Sequence, residues 1–484
     1  MDLEKLFRPS TMAVVGISKR NPLSPGRIIL LKNEFELDVK VYGIHPEAGE
    51  LEGIELHRRL DELPEIPDVL VIAVGADDTL EYIQECVDLK IPSSIIIGGG
   101  FAEIGGKGIV RQKKLEKIAF DNDIAVLGPN CIGVYAPPLI DTIFLPTERL
   151  TRPPKGSVAL ISQSGGVLID QFFVKFKERN IGVSTAVSIG NRAVVDEIML
   201  LEYFSKIDPE TSNIAFYLEG FKDNKARQFL QLAKESEDTI ITYFGGITEH
   251  GRLATQSHTA SLGSNSKILS SALKQYYIIQ PHSERELLTY LKVYDILSQR
   301  KKPFGENTIQ FGNVAILSVS GGHGVLCSDM LNKYGLNPVK FSEQEKSEMA
   351  DLLNPVAREI GTLNNPIDLT GSVLDMDIEN IIRYLSDIER IECIILLLLP
   401  YPPNISFQIG RRIANIISNK RKPLITFLPY VEKYSLIIES LEIANIPVFH
   451  SIKEAVQAVS ALKLRTKINN LKKYPNYWGY DLIS

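Results

Sequence analysis

Cysteine is scarce. Four residues, Cys86, Cys131, Cys327 and Cys393, are scattered through 484 positions with no spacing suited to a disulfide framework or a metal site. That pattern belongs to a reducing, cytoplasmic setting, and no resident metal is expected. Positive charge is not in excess either: 53 Lys and Arg face 59 Asp and Glu, and no Lys/Arg-rich block breaks the balance. Nucleic acid is thereby disfavoured as a partner. Long apolar runs are missing. The most apolar stretch, Ile391 to Pro402, is too short to cross a bilayer and contains Glu392. It reads as a strand buried on both faces. Met1-Asp2-Leu3-Glu4-Lys5 lacks the basic start and apolar run of a secretory signal, so neither export nor a membrane is expected. The first strand-end glycine opens Gly16-Ile17-Ser18 and not a G-x-G-x-x-G, which argues against a nicotinamide dinucleotide.

Apolar residues make up 44% of the chain, enough for full cores, and the length suits about three domains of roughly 150 residues each. Strand-like and helix-like runs alternate from end to end, which predicts an α/β fold with parallel sheets. In the first block, strands are expected at Met12–Gly16, Val39–Ile44, Val69–Val74, Ser94–Gly98 and Ile124–Leu127, a spacing that suits a Rossmann-type domain. A proline-containing crossing, Thr147–Pro154, leads to strands at Ser157–Ile161, Val183–Ser188, Asn213–Leu218 and Thr239–Tyr243. A polar, lysine-rich linker, Ser298–Gly312, precedes the third block. The run Val158-Ala159-Leu160-Ile161-Ser162-Gln163-Ser164-Gly165-Gly166 recurs as Val314-Ala315-Ile316-Leu317-Ser318-Val319-Ser320-Gly321-Gly322. Two copies of one open α/β domain are therefore expected. The division is 1–150, 151–298, a linker 299–312, and 313–484. The end of the chain carries a cluster of Tyr474, Tyr477, Trp478 and Tyr480, suited to a docking tail or a frayed end.

Ligands of open α/β sheets sit beyond the carboxyl ends of the strands. Four turns of the first block carry suitable residues there: Gly16 and Ser18 with Gly26 opening the next helix, His45, Glu103 after three glycines, and Asn130 with Cys131. Together they suit a nucleotide-sized pocket. In the second block, Ser162, Gln163, Ser164, Gly165 and Gly166 join a strand to a helix, where hydroxyls and first-turn amides attract an anion. Capping by Ser164 is compatible with that role. Glu219 ends another strand and can accept a hydrogen bond from one nitrogen of a histidine, leaving the other nucleophilic. The histidine is His258, on a long, small-residue segment from Gly245 to Gly263. An imidazole pKa near ~6.5 leaves much of it unprotonated at neutral pH.

Across almost its whole length the chain resembles the alpha subunit of ADP-forming acyl-CoA synthetases, relatives of succinyl-CoA synthetase. The resemblance is carried in family order by Gly128-Pro129-Asn130-Cys131-Ile132-Gly133, Ser162 to Gly166, Ser188-Ile189-Gly190-Asn191-Arg192, Tyr217-Leu218-Glu219-Gly220, Ser257-His258-Thr259-Ala260-Ser261-Leu262, Ser320-Gly321-Gly322-His323-Gly324-Val325 and Asn365-Pro366-Ile367-Asp368-Leu369. It implies a CoA-binding Rossmann-type domain followed by two flavodoxin-like ligase domains. It implies that acyl-CoA and phosphate give an acyl phosphate, which phosphorylates His258, which phosphorylates ADP. Glu219 would orient His258, residues 162–166 would hold phosphate, and Gly16, Ser18, Gly26, His45, Glu103, Asn130 and Cys131 fall near CoA. The three blocks leave no room for an ATP-grasp domain, so a separate beta subunit is expected to hold ATP or ADP with Mg2+, in an α2β2 assembly. The acid substrate would be a small carboxylic acid. The chain departs from the family where Phe244-Gly245-Gly246-Ile247 replaces a basic pattern, and where His45 replaces asparagine. Those changes keep open a second reading, a CoA- or acyl-CoA-binding regulatory protein with impaired catalysis.

Overall fold

The structure is a computed structural model and describes residues 1–222, 224–251, 266–299, 309–418 and 420–473. Its chain divides into two compact units, Met1–Ser283 and Glu284–Ser484. The described residues build three sheets, two in the first unit and one in the second.

The first sheet runs β3 (Gly49–Leu51), β4 (Ile54–His57), β2 (Lys40–Ile44), β1 (Thr11–Val15), β5 (Val69–Ile72), β6 (Ser93–Ile96) and β7 (Ala125–Leu127). Every neighbour pair is parallel except β3 with β4. With the antiparallel β3 set aside, the strands read 3-2-1-4-5-6, the doubly wound order of dinucleotide-type domains. Residues of β1 and β5 are buried throughout, as near-continuous apolar runs in a sheet covered on both faces should be.

The second sheet runs β13 (Thr239–Phe244), β12 (Asn213–Leu218), β10 (Lys155–Ser162), β11 (Val183–Ser188), β8 (Val134–Ala136) and β9 (Ile140–Asp141). The parallel part, β11-β10-β12-β13, has the flavodoxin-like order 2-1-3-4. Segment 134–141, expected within the first block, completes this sheet instead: Val134 and Tyr135 pair antiparallel with Val187 and Ala186. Both sheets of the unit contribute to one hydrophobic core that includes Met12, Val71, Ile161, Val187 and Phe216. The N-terminal segment ties them further, with the Tyr203 hydroxyl donating to Glu4 at 2.7 Å and Arg8 paired with Asp208.

In the second unit the order is β15 (Asn337–Pro338), β14 (Asn313–Ser318), β17 (Cys393–Leu397), β18 (Leu424–Phe427) and β19 (Val448–Phe449), all parallel, with β16 (Ile367–Asp368) also on β14. With β16 set aside the strands read 2-1-3-4-5, the flavodoxin-like order. The apolar run at 391–402 is here the fully buried β17. The internal repeat extends to side-chain detail. Ser162 Oγ donates to Ser164 O at 2.7 Å, and Ser318 Oγ donates to Ser320 O at 2.7 Å. Helix Glu284–Ser298, which the sequence reading assigns to the end of the middle block, belongs to the second unit, where Tyr294 donates to Ala461 O at 2.7 Å. Its residues 287–297 are all buried, so it needed partners on every side. No described helix is long and apolar enough to cross a membrane.

Candidate active site

At the carboxyl edge of the first sheet, Gly16 has φ +88°, and a Cβ there would lie 2.3 Å from the Ala73 carbonyl oxygen. A Cβ on Gly26 would lie 2.7 Å from Gly16. Two glycines thus let helix Pro25–Glu36 start directly against the strand end. The turn between them is built from hydroxyls: Ser18 N donates to Ser24 Oγ at 3.2 Å, and Asn21 N donates to Ser18 Oγ at 3.0 Å. Lys19 donates to Ala48 O and Arg27 pairs with Glu52, so the helix N-terminus carries basic residues beside it. Such a helix start favours an anionic group. His45 is half-buried, and its Nδ1 accepts from Glu47 N at 3.2 Å.

The other two turns are joined to each other. Glu103 accepts from Gly100 N and Phe101 N, and from Asn191 Nδ2 of the second sheet's edge. Burial works against its charge, but the donors from Asn191, Gly100 and Phe101 outweigh burial and hold the carboxyl below its ordinary range. Asn130 is exposed with φ +57°, and its Nδ2 donates to Asn191 Oδ1 at 3.4 Å. Cys131 lies beneath this edge; its thiol donates to Ile96 O at 3.3 Å, and burial pushes its pKa up to about 12.

The edge continues into the second sheet without a break. Asn191 N donates to Pro129 O at 2.9 Å, Ala193 N to Gly128 O at 3.1 Å and Ile189 N to Ser162 O at 3.0 Å. Gly190 has φ +54°, with Pro129 O 2.3 Å from where its Cβ would be. Ile132 N donates to Ser188 Oγ at 3.2 Å, and a Cβ on Gly165 would lie 3.1 Å from Ile132. The segment next to Asn130 and Cys131 therefore abuts the Ser162–Gly166 turn.

That turn is a helix start. Val167 N donates to Ser164 Oγ at 3.3 Å, the expected cap. First-turn amides have no intrahelical acceptors and face the edge. The helix then opens into a π-helical segment, Val167–Phe173, a feature concentrated at functional sites. Gln163 is buried and accepts from Glu219 N through Oε1 at 2.8 Å, which fixes Glu219 beside the cradle. Beyond Glu219, buried Arg192 donates to Gly220 O at 3.0 Å and to fully buried Glu197 at 3.2 Å; Lys222 N donates to Glu197 at 2.8 Å. Removing one partner of such a pair costs about 3–5 kcal/mol.

The structure thus brings Glu103 and Asn130 to the same edge as Ser162–Gly166 and Glu219, while His258 lies outside the described residues, as do Tyr474, Tyr477, Trp478 and Tyr480. Sequence reasoning did not single out Asn191 or Arg192 as site residues. The signal available for both was the Gly-Asn-Arg step just after a strand, the same strand-end logic used elsewhere. At the departure from the family, Phe244 is buried and packs edge-on against Phe221 at 5.6 Å, and Ile247 is exposed.

Comparisons with known proteins agree with this fold. Residues 10–137 match the model of a CoA-binding domain, and residues 155–294 match that of the succinyl-CoA ligase-like flavodoxin domain. The alpha subunit of acetate–CoA ligase (ADP-forming) I of Pyrococcus furiosus is 32% identical, the match covering 96% of this chain and 97% of that subunit. Acetate–CoA ligase (ADP-forming) I of Archaeoglobus fulgidus is 27% identical over 96% of this chain, which spans 64% of that longer protein. A solved structure from Ca. Korarchaeum cryptofilum, a dinucleotide-forming acetyl-coenzyme A synthetase 1 in complex with phosphate and ADP, superposes with a TM-score of 0.85 at 29% identity, covering 99% of this chain and 100% of that one. With its doubly wound and flavodoxin-like sheets joined at one polar edge, the chain belongs to the alpha-subunit family of ADP-forming acyl-CoA synthetases.

Proposed function

We propose that this chain interconverts acyl-CoA, ADP and phosphate with a carboxylic acid, CoA and ATP, by way of an acyl phosphate and a phosphohistidine at His258. In the ATP-forming direction, a phosphate oxygen attacks the thioester carbonyl carbon and the C–S bond breaks, releasing CoA. A ring nitrogen of His258 then attacks phosphorus; the bond to the acyl oxygen breaks and the carboxylate leaves. Finally the terminal oxygen of ADP attacks phosphorus and the N–P bond breaks. Dividing the transfer in this way lets each step use a short-lived, well-oriented partner. Ser162 to Gly166 hold the phosphoryl oxygens with hydroxyl and first-turn amide donors. Glu219 accepts a hydrogen bond from the second ring nitrogen of His258. Gly16, Ser18, Gly26, His45 and the Asn130–Cys131 turn line the CoA side, and Glu103 braces it.

The observation that carries this reading is the sharing of one edge: Gln163 holds Glu219 at 2.8 Å, and Gly165 abuts Ile132 beside the CoA-side turn. A thioester lying across Asn130 would reach the cradle without crossing the sheet. The nucleotide step requires a separate ATP-grasp beta subunit carrying Mg2+, in an α2β2 assembly. Support comes from the Pyrococcus relative's being a subunit alpha and from the longer Archaeoglobus chain. The four free, buried thiols fit a cytoplasmic location. Phe244 occupies a core position, so its difference from the family gives no support to a regulatory protein without catalysis.

The test uses the chain with its ATP-grasp partner, Mg2+ and ATP labelled at the terminal phosphate. His258 acquires acid-labile label. His258→Ala abolishes label and turnover and leaves CoA binding close to the parent's. Unchanged labelling of His258→Ala refutes the mechanism.

A further inference from the structure

We propose that Asn191 is a positioning residue that turns the side-chain carbonyl of Asn130 outward, as the acceptor for an amide N–H of the pantetheine arm of CoA; this rests on the CoA side of the function proposed above. An ionised carboxylate only accepts hydrogen bonds, whereas an asparagine amide has one accepting and one donating end. Glu103 Oε1 is taken by Gly100 N at 2.5 Å and Phe101 N at 3.1 Å, and Oε2 accepts from Asn191 Nδ2 at 2.5 Å. Burial opposes the charge of Glu103, yet these donors hold its carboxyl below the ordinary range, so at neutral pH it has no proton to give. A second acceptor meets the same nitrogen: Gln112 Oε1 accepts from Asn191 Nδ2 at 3.2 Å, while Gln112 Nε2 is turned to Glu116 at 3.1 Å. Both contacts require the NH2 end of Asn191 on that side, which leaves Asn191 Oδ1 for Asn130. Asn130 must then offer its own NH2 end, and its Nδ2 donates to Asn191 Oδ1 at 3.4 Å. A carboxylate thus dictates, through one amide, which way a second amide faces.

What remains is Asn130 Oδ1. Among the described residues no hydrogen bond ends on it. Its backbone is fixed: φ is +57°, a left-handed conformation that asparagine tolerates, Asn130 N donates to Gly98 O at 3.0 Å, and Asn191 N donates to Pro129 O at 2.9 Å. Beside the oxygen lies Gly99. A Cβ there would lie 2.9 Å from Glu103 Oε1 and 3.6 Å from Asn130 Oδ1, so the glycine keeps open the space next to the acceptor. Gly98, Gly99 and Gly100 form a strip without side chains, along which an extended chain can lie close to the backbone. The ligand that suits an outward carbonyl beside such a strip is a narrow arm with an N–H to donate. Pantetheine, with two amides along its length, is such an arm.

Calorimetric titration of the full chain with CoA tests the assignment. Glu103→Gln keeps an oxygen for Gly100 N and Phe101 N but sets an NH2 end against Asn191. Asn191 and Asn130 turn over in sequence, a donor replaces the outward carbonyl, and the Kd for CoA rises roughly tenfold, the range for losing a hydrogen bond and stranding a donor. Asn130→Gly keeps the positive φ and removes the acceptor. It gives a comparable rise, and adding Glu103→Gln to it changes Kd by less than about twofold, because both act on one contact. Moving the carboxylate across the pair, in Glu103→Gln/Asn191→Asp, gives Asn130 Nδ2 an acceptor again and returns Kd to within about threefold of the parent's. A carboxylate needed at 103 for structure alone would not be rescued from position 191. Parent-like affinity in Glu103→Gln overturns the proposal, as does a loss that persists in the Asn130→Gly background or a swapped pair without recovery. Should Glu103→Gln not fold, Asn191→Ala takes its place, with binding about tenfold weaker alone and no weaker in the Asn130→Gly background. A parent that does not bind CoA refutes the CoA-side reading and this proposal together, whereas a binding parent with a parent-like Glu103→Gln refutes only this one.

Discussion

Gly190→Ala tests the joint between the two edges. Its φ of +54° is in the left-handed region, where an L side chain costs about 1–2 kcal/mol. The new Cβ would lie 2.3 Å from Pro129 O and 2.8 Å from Asn130 O. Both are main-chain atoms, and Pro129 O already accepts from Asn191 N at 2.9 Å. The turn must move, and the loss or lengthening of that bond adds about 1 kcal/mol. The sum is about 2–3 kcal/mol, which lowers the melting temperature of a unit this size by roughly 3–5 °C. Calorimetry on the Met1–Ser283 transition reads the shift. Amide exchange reads its place: the amides of Asn191 and Ala193 lose protection first, ahead of the strands. Gly75→Ala is the control, because a Cβ there meets nothing within 4 Å and the change costs under about 1 kcal/mol. A Gly190→Ala transition within about 2 °C of the parent's, by the same conversion, would refute the argument that this contact holds the edges together. So would unchanged exchange at those two amides.

Two other predictions use buried titratable groups. The four free cysteines are all buried, and burial raises each thiol well above its ordinary range; an exposed-thiol reagent at pH 8 should find none in the native protein and all four after denaturation, and rapid native labelling of any would contradict the burial. Lys32 is buried against Asp141 at 2.9 Å, and burial, with Arg152 adding to it, pushes the amine down to about 8 in spite of Asp141. Between that pKa and the ordinary lysine value the unfolded chain binds the extra proton, so this group makes stability rise as pH rises through the window. Lys32→Met should remove that rise in a plot of unfolding free energy against pH from 8 to about 10, and an unchanged slope would show that Lys32 is not its source.

Much of the fold was legible because parallel strands buried on both faces read as short apolar runs. The expected strand at Val69–Val74 is β5 at Val69–Ile72, and those at Val183–Ser188 and Asn213–Leu218 match to the residue. What was not legible is pairing. The hairpin of β3 and β4 is short and half-exposed, with only Leu51, Ile54 and Leu56 facing inward, too few to form a pattern. Segment 134–141 looks like the tail of the first block, and only its contact with β11 assigns it to the second sheet. Helix Glu284–Ser298 carries no mark of which unit it serves, since that is decided by the surfaces it meets.

The site divides in a similar way. Residues at strand ends, such as Ser164 and Glu219, can be chosen from sequence because topology alone puts them at the functional edge. What each polar atom then does is settled by neighbours far along the chain. Glu103 and Asn130 were chosen as groups near a ligand, yet Asn191, 88 positions from Glu103, takes up one carboxylate oxygen. Glu103 is thereby a clamp between the edges of the two sheets. Cys131 was chosen for its place after Asn130, but its thiol turns inward to Ile96 O. A strand-end rule finds the edge; the hydrogen-bond partners across it decide which residues hold the edge together and which are left to meet a substrate.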